Sequence, residues 1–181
     1  MNLNALMDEF GTAQSFEKSA HIFMQEQTNN NIYFIRSGIL KAYYINTDGK
    51  EFIKSFIFVN DIIGSMQALQ GGLTSYNLQC IKATQVTKLA YKHIRDRCKE
   101  NISLANEVIE LLSALAIKKE RREFELLCLP AEQRYLQLLK KIPNIYDYVT
   151  QNDIARYLGI TPVALSRIKH NSSIEALTIH S

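Results

Sequence analysis

The chain has 181 residues, 46% of them hydrophobic and 22% charged, with a formal net charge of +3 at pH 7. Such a composition belongs to a globular protein of one or two domains and excludes a disordered chain, a collagen-like repeat or a disulfide scaffold. The charge agrees with nucleic-acid binding without demanding it, so function has to be read from pattern.

At the start, Met1 to Glu9 offers neither the basic nor the apolar segment of a leader, and no later stretch approaches the roughly 18 apolar residues of a membrane span. A cytoplasmic protein without a membrane partner is expected. From Thr28 to Tyr91, β-branched and aromatic runs alternate with turn residues, the pattern of an antiparallel all-β unit. Asn29-Asn30-Asn31 precedes a run at Ile32 to Ile35, Ser37-Gly38 precedes Ile39 to Ile45, and Asp48-Gly49 leads into Phe52 to Val59. Asp48-Gly49 is the strongest hairpin signal, because glycine takes positive φ without a Cβ clash. Further turns fall at Asn60-Asp61 and Gly71-Gly72, before runs around Tyr76 to Ile81 and Val86 to Tyr91. Cys80, Cys98 and Cys128 are odd in number and widely spaced, which suggests buried thiols rather than a redox or metal motif.

After Lys92 glycine and proline vanish until Pro130, and a long helix is predicted, capped by Asn101 or Ser103. Leu104, Val108, Leu111 and Leu115 follow at steps of four, three and four, the spacing of a helix-helix seam, and are assigned to homodimerisation, with covering of the β unit as the alternative role of the stripe. The run Lys118 to Glu123 is charged on every side and is expected to face solvent. Pro130 suits the first position of another helix, with Tyr135, Leu138, Leu139 and Ile142 as its apolar face. The chain thus divides into a sensor-like domain at 1–95, a connecting helix at 96–128 and a helical domain at 129–181.

The segment Thr150 to Lys169 fits a helix-turn-helix. Thr150 and Asp153 have capping-box spacing, and Ile154 and Leu158 share one face. Ala155 is small where a second helix must cross. Gly159 permits the sharp exit, Ile160 plugs the corner, Thr161 caps the next helix and Pro162 occupies its first position. In such a motif the second helix enters the major groove of double-stranded DNA. The expected contact set is Gln151, Asn152, Thr161, Pro162, Val163, Ser166, Arg167, Lys169 and His170. Arg167 is the natural reader of guanine, and Val163 suits a thymine methyl.

In the order of its parts the chain resembles the CRP/FNR family of transcription regulators. The resemblance rests on Tyr33 to Tyr43, Asp48-Gly49-Lys50-Glu51, Asp61-Ile62-Ile63-Gly64, Leu129 to Tyr135 and the Thr150 to Lys169 block. It implies an α+β fold: a cyclic-nucleotide-binding-type β-roll, a long dimerisation helix and a C-terminal helix-turn-helix domain. It also implies a homodimer on a two-fold symmetric site near promoters, with RNA polymerase as a further partner. The implied ligand pocket is Gly64, Ser65, Thr74, Ser75, Tyr76 and Asn77.

The family's nucleotide cassette, a Gly-Glu pair for the ribose and an Arg-Ser/Thr-Ala group for the phosphate, is missing. Gly64 is followed by Ser65, and Ser55 through Ile81 contains no Lys, Arg or His. A buried phosphate without a cation is costly, so cyclic AMP and cyclic GMP are not expected as effectors. The family's iron-sulfur type has clustered N-terminal cysteines, whereas the first cysteine here is Cys80. No cofactor is expected, and the effector is left open. Only Asn171 to Ser181 follow the recognition helix, leaving little or no chain for a wing.

Two rivals remain. A metal-dependent enzyme on a similar β-roll needs clustered histidines, but His21, His93, His170 and His180 include no His-x-His pair and none falls within Thr28 to Tyr91. No catalytic or metal-binding residue is therefore assigned. The other rival is a ligand-binding or protein-interaction module that has lost DNA binding.

Overall fold

The computed structural model describes residues 2–178, with side chains to Asn171. It contains two compact units, Met1–Glu120 and Arg121–Ser181.

The first unit opens on α1 (Leu3–Phe10), whose Asn2 side chain accepts from the Ala5 N–H at 2.8 Å. Two strands follow, β1 (Thr12–Phe16) and β2 (His21–Phe23), both upstream of the expected β region. They are short and mostly half-exposed, so they lack a strong apolar alternation. Then come β3 (Asn31–Ser37), β4 (Leu40–Ile45), β5 (Glu51–Ile57) and β6 (Ile62–Ile63). A short helix α2 (Met66–Leu69) leads to β7 (Asn77–Cys80) and β8 (Thr84–Ala90). The strands form two four-stranded sheets, β1-β8-β3-β6 and β2-β7-β4-β5, with antiparallel pairing throughout. The turn between β4 and β5 is the expected hairpin: the Asn46 side chain accepts from the N–H groups of Asp48 and Lys50, and Gly49 has φ +75°.

One core, including Tyr33, Ile35, Leu40, Leu78 and Val86, draws on strands of both sheets. A second forms where α1 and the helices after β8 meet the first sheet; it contains Leu6, Ile32, Phe34, Leu89, Ile94 and Leu104. A helix α3 (Tyr91–Glu100) comes first, and the expected long helix α4 (Ile102–Cys128) then starts at its Asn101 cap, whose side chain accepts from the Leu104 N–H at 3.0 Å.

Leu104, first of the expected dimer seam, is fully buried inside its own unit, and Val108 and Leu111 pack against the same cluster. That face of α4 covers the β unit. Exposed apolar residues Ile102, Ile109 and Ile117 lie on the opposite side, with Leu112 toward its edge.

The second unit begins within α4, at Arg121 rather than at residue 129. The reason is visible at Arg122, which packs into this unit with the buried Glu125 instead of facing solvent as expected of the Lys118 to Glu123 run. After α5 (Ala131–Lys141) and a 3-10 turn at Ile145–Asp147 come α6 (Gln151–Leu158) and α7 (Pro162–Thr178). Its buried apolar residues include Tyr135, Leu138, Ile145, Val149, Ile154, Leu158 and Leu165. The segment after His170 continues α7 to Thr178, so no wing hairpin occurs among the described residues.

Candidate nucleic-acid interface and ligand pocket

Helix α6 starts as its sequence dictates. Thr150 Oγ1 accepts from the Asp153 N–H at 3.1 Å and donates to Asp153 Oδ2 at 2.7 Å, which holds a carboxylate at the positive end of the helix. It ends in a Schellman pair, with Ile160 N–H on Ala155 O at 3.0 Å and Gly159 N–H on Arg156 O at 3.4 Å, around Gly159 at φ +70°. Thr161 then caps α7, its hydroxyl accepting from the Ala164 N–H at 3.2 Å. Ile154, Ala155, Leu158 and Leu165 are fully buried, which fixes α7 with its other face outward.

Two arginines finish the C-terminal end of α6. Arg122 donates to Tyr157 O and lies over the Tyr157 ring, 3.8 Å from its centroid. Arg134 donates to Leu158 O at 2.8 Å and to Leu129 O at 2.6 Å. Carbonyls at a helix C-terminus lack intrahelical partners and carry partial negative charge, so two guanidinium groups both satisfy and neutralise them. Burial pulls the Arg122 pKa down, while Tyr157 and Glu125 oppose that shift. Neither arginine is among the residues expected from sequence to serve the motif, because each is far from α6 along the chain.

The outward face of α7 presents Thr161, Pro162, Val163, Ser166, Arg167 and His170, all exposed, with Val163 63% exposed. Gln151 and Asn152 are exposed at the start of α6. Lys169 differs from the rest: it is half-buried, with its ammonium 4.6 Å from the centroid of the Tyr146 ring.

The residues expected to line a ligand pocket do come together, but their polar atoms are engaged within the chain. Tyr76 is buried and donates to Gly64 O at 2.9 Å, and Ser65 Oγ accepts from the Ser75 N–H at 3.2 Å. Thr74 Oγ1 accepts from the Gln27 N–H at 2.9 Å, and Asn77 Oδ1 accepts from the Gln25 N–H at 3.0 Å. Burial raises the Tyr76 pKa, which keeps the phenol a donor. Lys54, one residue before the cation-free span, was missed: its ammonium lies 4.0 Å from the Tyr76 ring centroid. Its position depends on strand pairing, which no local pattern signals.

Of the thiols, Cys80 is buried, Cys98 half-buried and Cys128 exposed, so Cys128 departs from expectation. Among the described residues no group of three or more His, Cys, Asp or Glu is placed to hold a metal ion, and these cysteines do not fit an iron-sulfur cluster. Among the described residues no helix is long and apolar enough to cross a membrane.

Residues 13–101 match the model of the cyclic nucleotide-binding domain. The anaerobic regulatory protein of Haemophilus influenzae is 27% identical over 164 residues, covering 84% of this chain and 63% of the relative. The fumarate and nitrate reduction regulatory protein of Vibrio cholerae is 26% identical over the same length, covering 84% and 65%. The chain thus spans a little under two thirds of these relatives. The structure of FixK2 from Bradyrhizobium japonicum superposes with a TM-score of 0.80 at 18% identity, over 92% of this chain and 86% of that one, and shows the same fold. The β-sheets thus carry the match to the cyclic nucleotide-binding domain, and the chain, with its long helix and C-terminal helix-turn-helix, is similar to these regulatory proteins.

Proposed function

We propose that this chain is a sequence-specific DNA-binding transcription regulator of the cytoplasm that acts as a homodimer and not as an enzyme. The observation that carries the reading is the helix-turn-helix itself: both of its helices are capped, its corner is closed by Gly159, and Thr161, Val163, Ser166, Arg167 and His170 project from the outer face of α7. A helix so presented fits the major groove, where its first turns meet base edges. Arg167 supplies a planar fork for guanine O6 and N7, and Val163 an apolar contact for a thymine methyl. Ser166, Thr161, Gln151 and Asn152 address phosphates. Lys169, drawn over Tyr146, contributes charge near the backbone rather than a base contact.

The exposed stripe Ile102, Ile109, Leu112 and Ile117 supports pairing through α4. A dimer places two recognition helices on a symmetric operator, where RNA polymerase is the further partner. Cyclic AMP and cyclic GMP are not the effectors, since Ser65 stands where a ribose-binding carboxylate would be needed and is itself buried against Ser75.

The test is a selected operator and its scrambled counterpart at fixed salt. Arg167→Ala is expected to lose most of the preference for the operator, about 1–3 kcal/mol per bidentate contact, while weak salt-sensitive binding to any duplex persists. Retention of the wild-type specificity ratio by Arg167→Ala would show that another face of α7 reads the bases.

A further inference from the structure

We propose that Tyr146 and Lys169 form a clamp for one backbone phosphate of the DNA duplex, built along one edge of α7, with Tyr135 as the buried support of the Tyr146 hydroxyl. The inference rests on the reading of the second unit as a DNA-binding domain and adds to it a residue from outside the helix-turn-helix.

Helical spacing sets the edge. Pro162, Ser166 and Lys169 follow one another at steps of four and three, so they form a row along α7 between its outward face and the buried Leu165. Pro162 and Ser166 are exposed, and the half-buried Lys169 is drawn across the Tyr146 ring, its ammonium 4.6 Å from the centroid. The 3-10 turn at Ile145–Asp147 thus extends the row beyond the helix. A helix in the major groove has base edges before its central face and a sugar-phosphate strand along each side. What suits such a side is a held cation together with a neutral donor.

Tyr146 supplies the donor. It is 36% exposed, yet its hydroxyl lies 3.0 Å from that of the buried Tyr135. Either oxygen of the pair can donate, so the bond reverses when the two O–H groups rotate. With a phosphate at the outer end, Tyr135 donates to Tyr146 and Tyr146 donates to the phosphate, a relay in which each bond strengthens the next. Burial and the Tyr135 hydroxyl both raise the Tyr146 pKa, so the phenol keeps its proton. Lys169 supplies the charge that makes the grip strong. Asp147, the acid beside Tyr146 in sequence, lies about 120° further round the 3-10 turn. The other use of Tyr146 is to satisfy the buried Tyr135 hydroxyl, and in that use the two phenols are equivalent.

The full chain is titrated by fluorescence anisotropy with the selected operator and its scrambled counterpart, first at fixed salt and then across a salt series. Tyr146→Phe is expected to weaken binding to both duplexes by the same factor, about threefold to tenfold, with the specificity ratio and the salt slope unchanged. Lys169→Met is expected to weaken both alike and to lower the salt slope by about one. Tyr135→Phe breaks the same phenol pair but keeps the Tyr146 hydroxyl, and is expected to bind within about twofold of the wild type. Operators that each carry one neutral methylphosphonate locate the contact: at one position per half-site the replacement weakens the wild type but not Lys169→Met. Wild-type affinity in Tyr146→Phe, equal losses in the two Phe variants, a changed specificity ratio in Tyr146→Phe, or the lack of such a position overturns the clamp. If those arms fail while the wild type still prefers its operator, the regulator reading stands without the clamp. A wild-type chain that binds neither duplex overturns both.

Discussion

An ammonium group partly withdrawn from water makes the folded state bind its proton less tightly than the unfolded chain does. For Lys54 the folded pKa is about 8, against 10.5 for an unperturbed lysine. Between those values the unfolded chain holds more protons, so the contribution of Lys54 to stability rises with pH through that window and is least favourable below about 8. The facing groups are Lys118 and Lys119 of α4 and the phenols Tyr44 and Tyr76, whose own pKa values burial raises. The stability gap between Lys54→Met and the wild type is therefore expected to shrink from pH 7 to about pH 9.5, measured by urea unfolding. A constant gap across that range would show that Lys54 is solvated. At Gly159 the demand is conformational: a Cβ would meet nothing within 4 Å, so the cost of Gly159→Ala comes from φ +70° alone, about 1–2 kcal/mol on unfolding. These two residues differ in how far sequence reveals them. Gly159 was legible because capping and turn chemistry are local, each partner lying within a few residues. Lys54 was not, since only the pairing of β4 with β5 discloses that it is the extra residue of a β-bulge.

At the scale of the element, α4 has two apolar faces, and spacing alone does not tell which one is covered by the chain itself. The Leu104, Val108, Leu111 series has regular seam spacing, yet Leu104 is fully buried and the others pack on the same core. Ile102, Ile109 and Ile117 lie opposite and are exposed, with Leu112 toward the edge of that face. The two faces separate by experiment. Leu104→Ala is expected to cost about 2–5 kcal/mol of unfolding free energy, as for other buried leucines, without first changing the state of association. Ile109→Glu is expected to leave stability per chain nearly unchanged while shifting sedimentation equilibrium toward the single-chain mass. The opposite pattern, with Leu104→Ala dissociating a folded dimer, would return the seam to the buried face. The same helix shows why the second compact unit starts at Arg121: a charged run reads as solvent-facing, but Arg122 is claimed by the carbonyl of Tyr157 and the ring beside it, a partner 35 residues away.

For the whole molecule, the proposed function draws its selectivity from pairing rather than from any one contact. A single recognition helix offers Arg167 and a few polar neighbours, too little to separate one site from the many competing sequences of a chromosome. Two copies related by a two-fold axis read two half-sites at once, and the second half-site binds as an intramolecular event at high effective concentration. For a helix-turn-helix dimer the half-sites lie about 34–36 Å apart, one helical turn of DNA, which predicts an inverted repeat with that spacing. The wild-type protein is therefore expected to bind the full repeat about 10²–10⁴ times more tightly than an isolated half-site. Ile109→Glu should lose that ratio while its affinity for a half-site stays near that of the wild type, because α7 and its reading face are untouched. Fluorescence anisotropy with full and half duplexes at one salt concentration measures both numbers. If the wild type binds half-sites as tightly as the repeat, the chain reads DNA as a monomer, and the exposed stripe of α4 has another use.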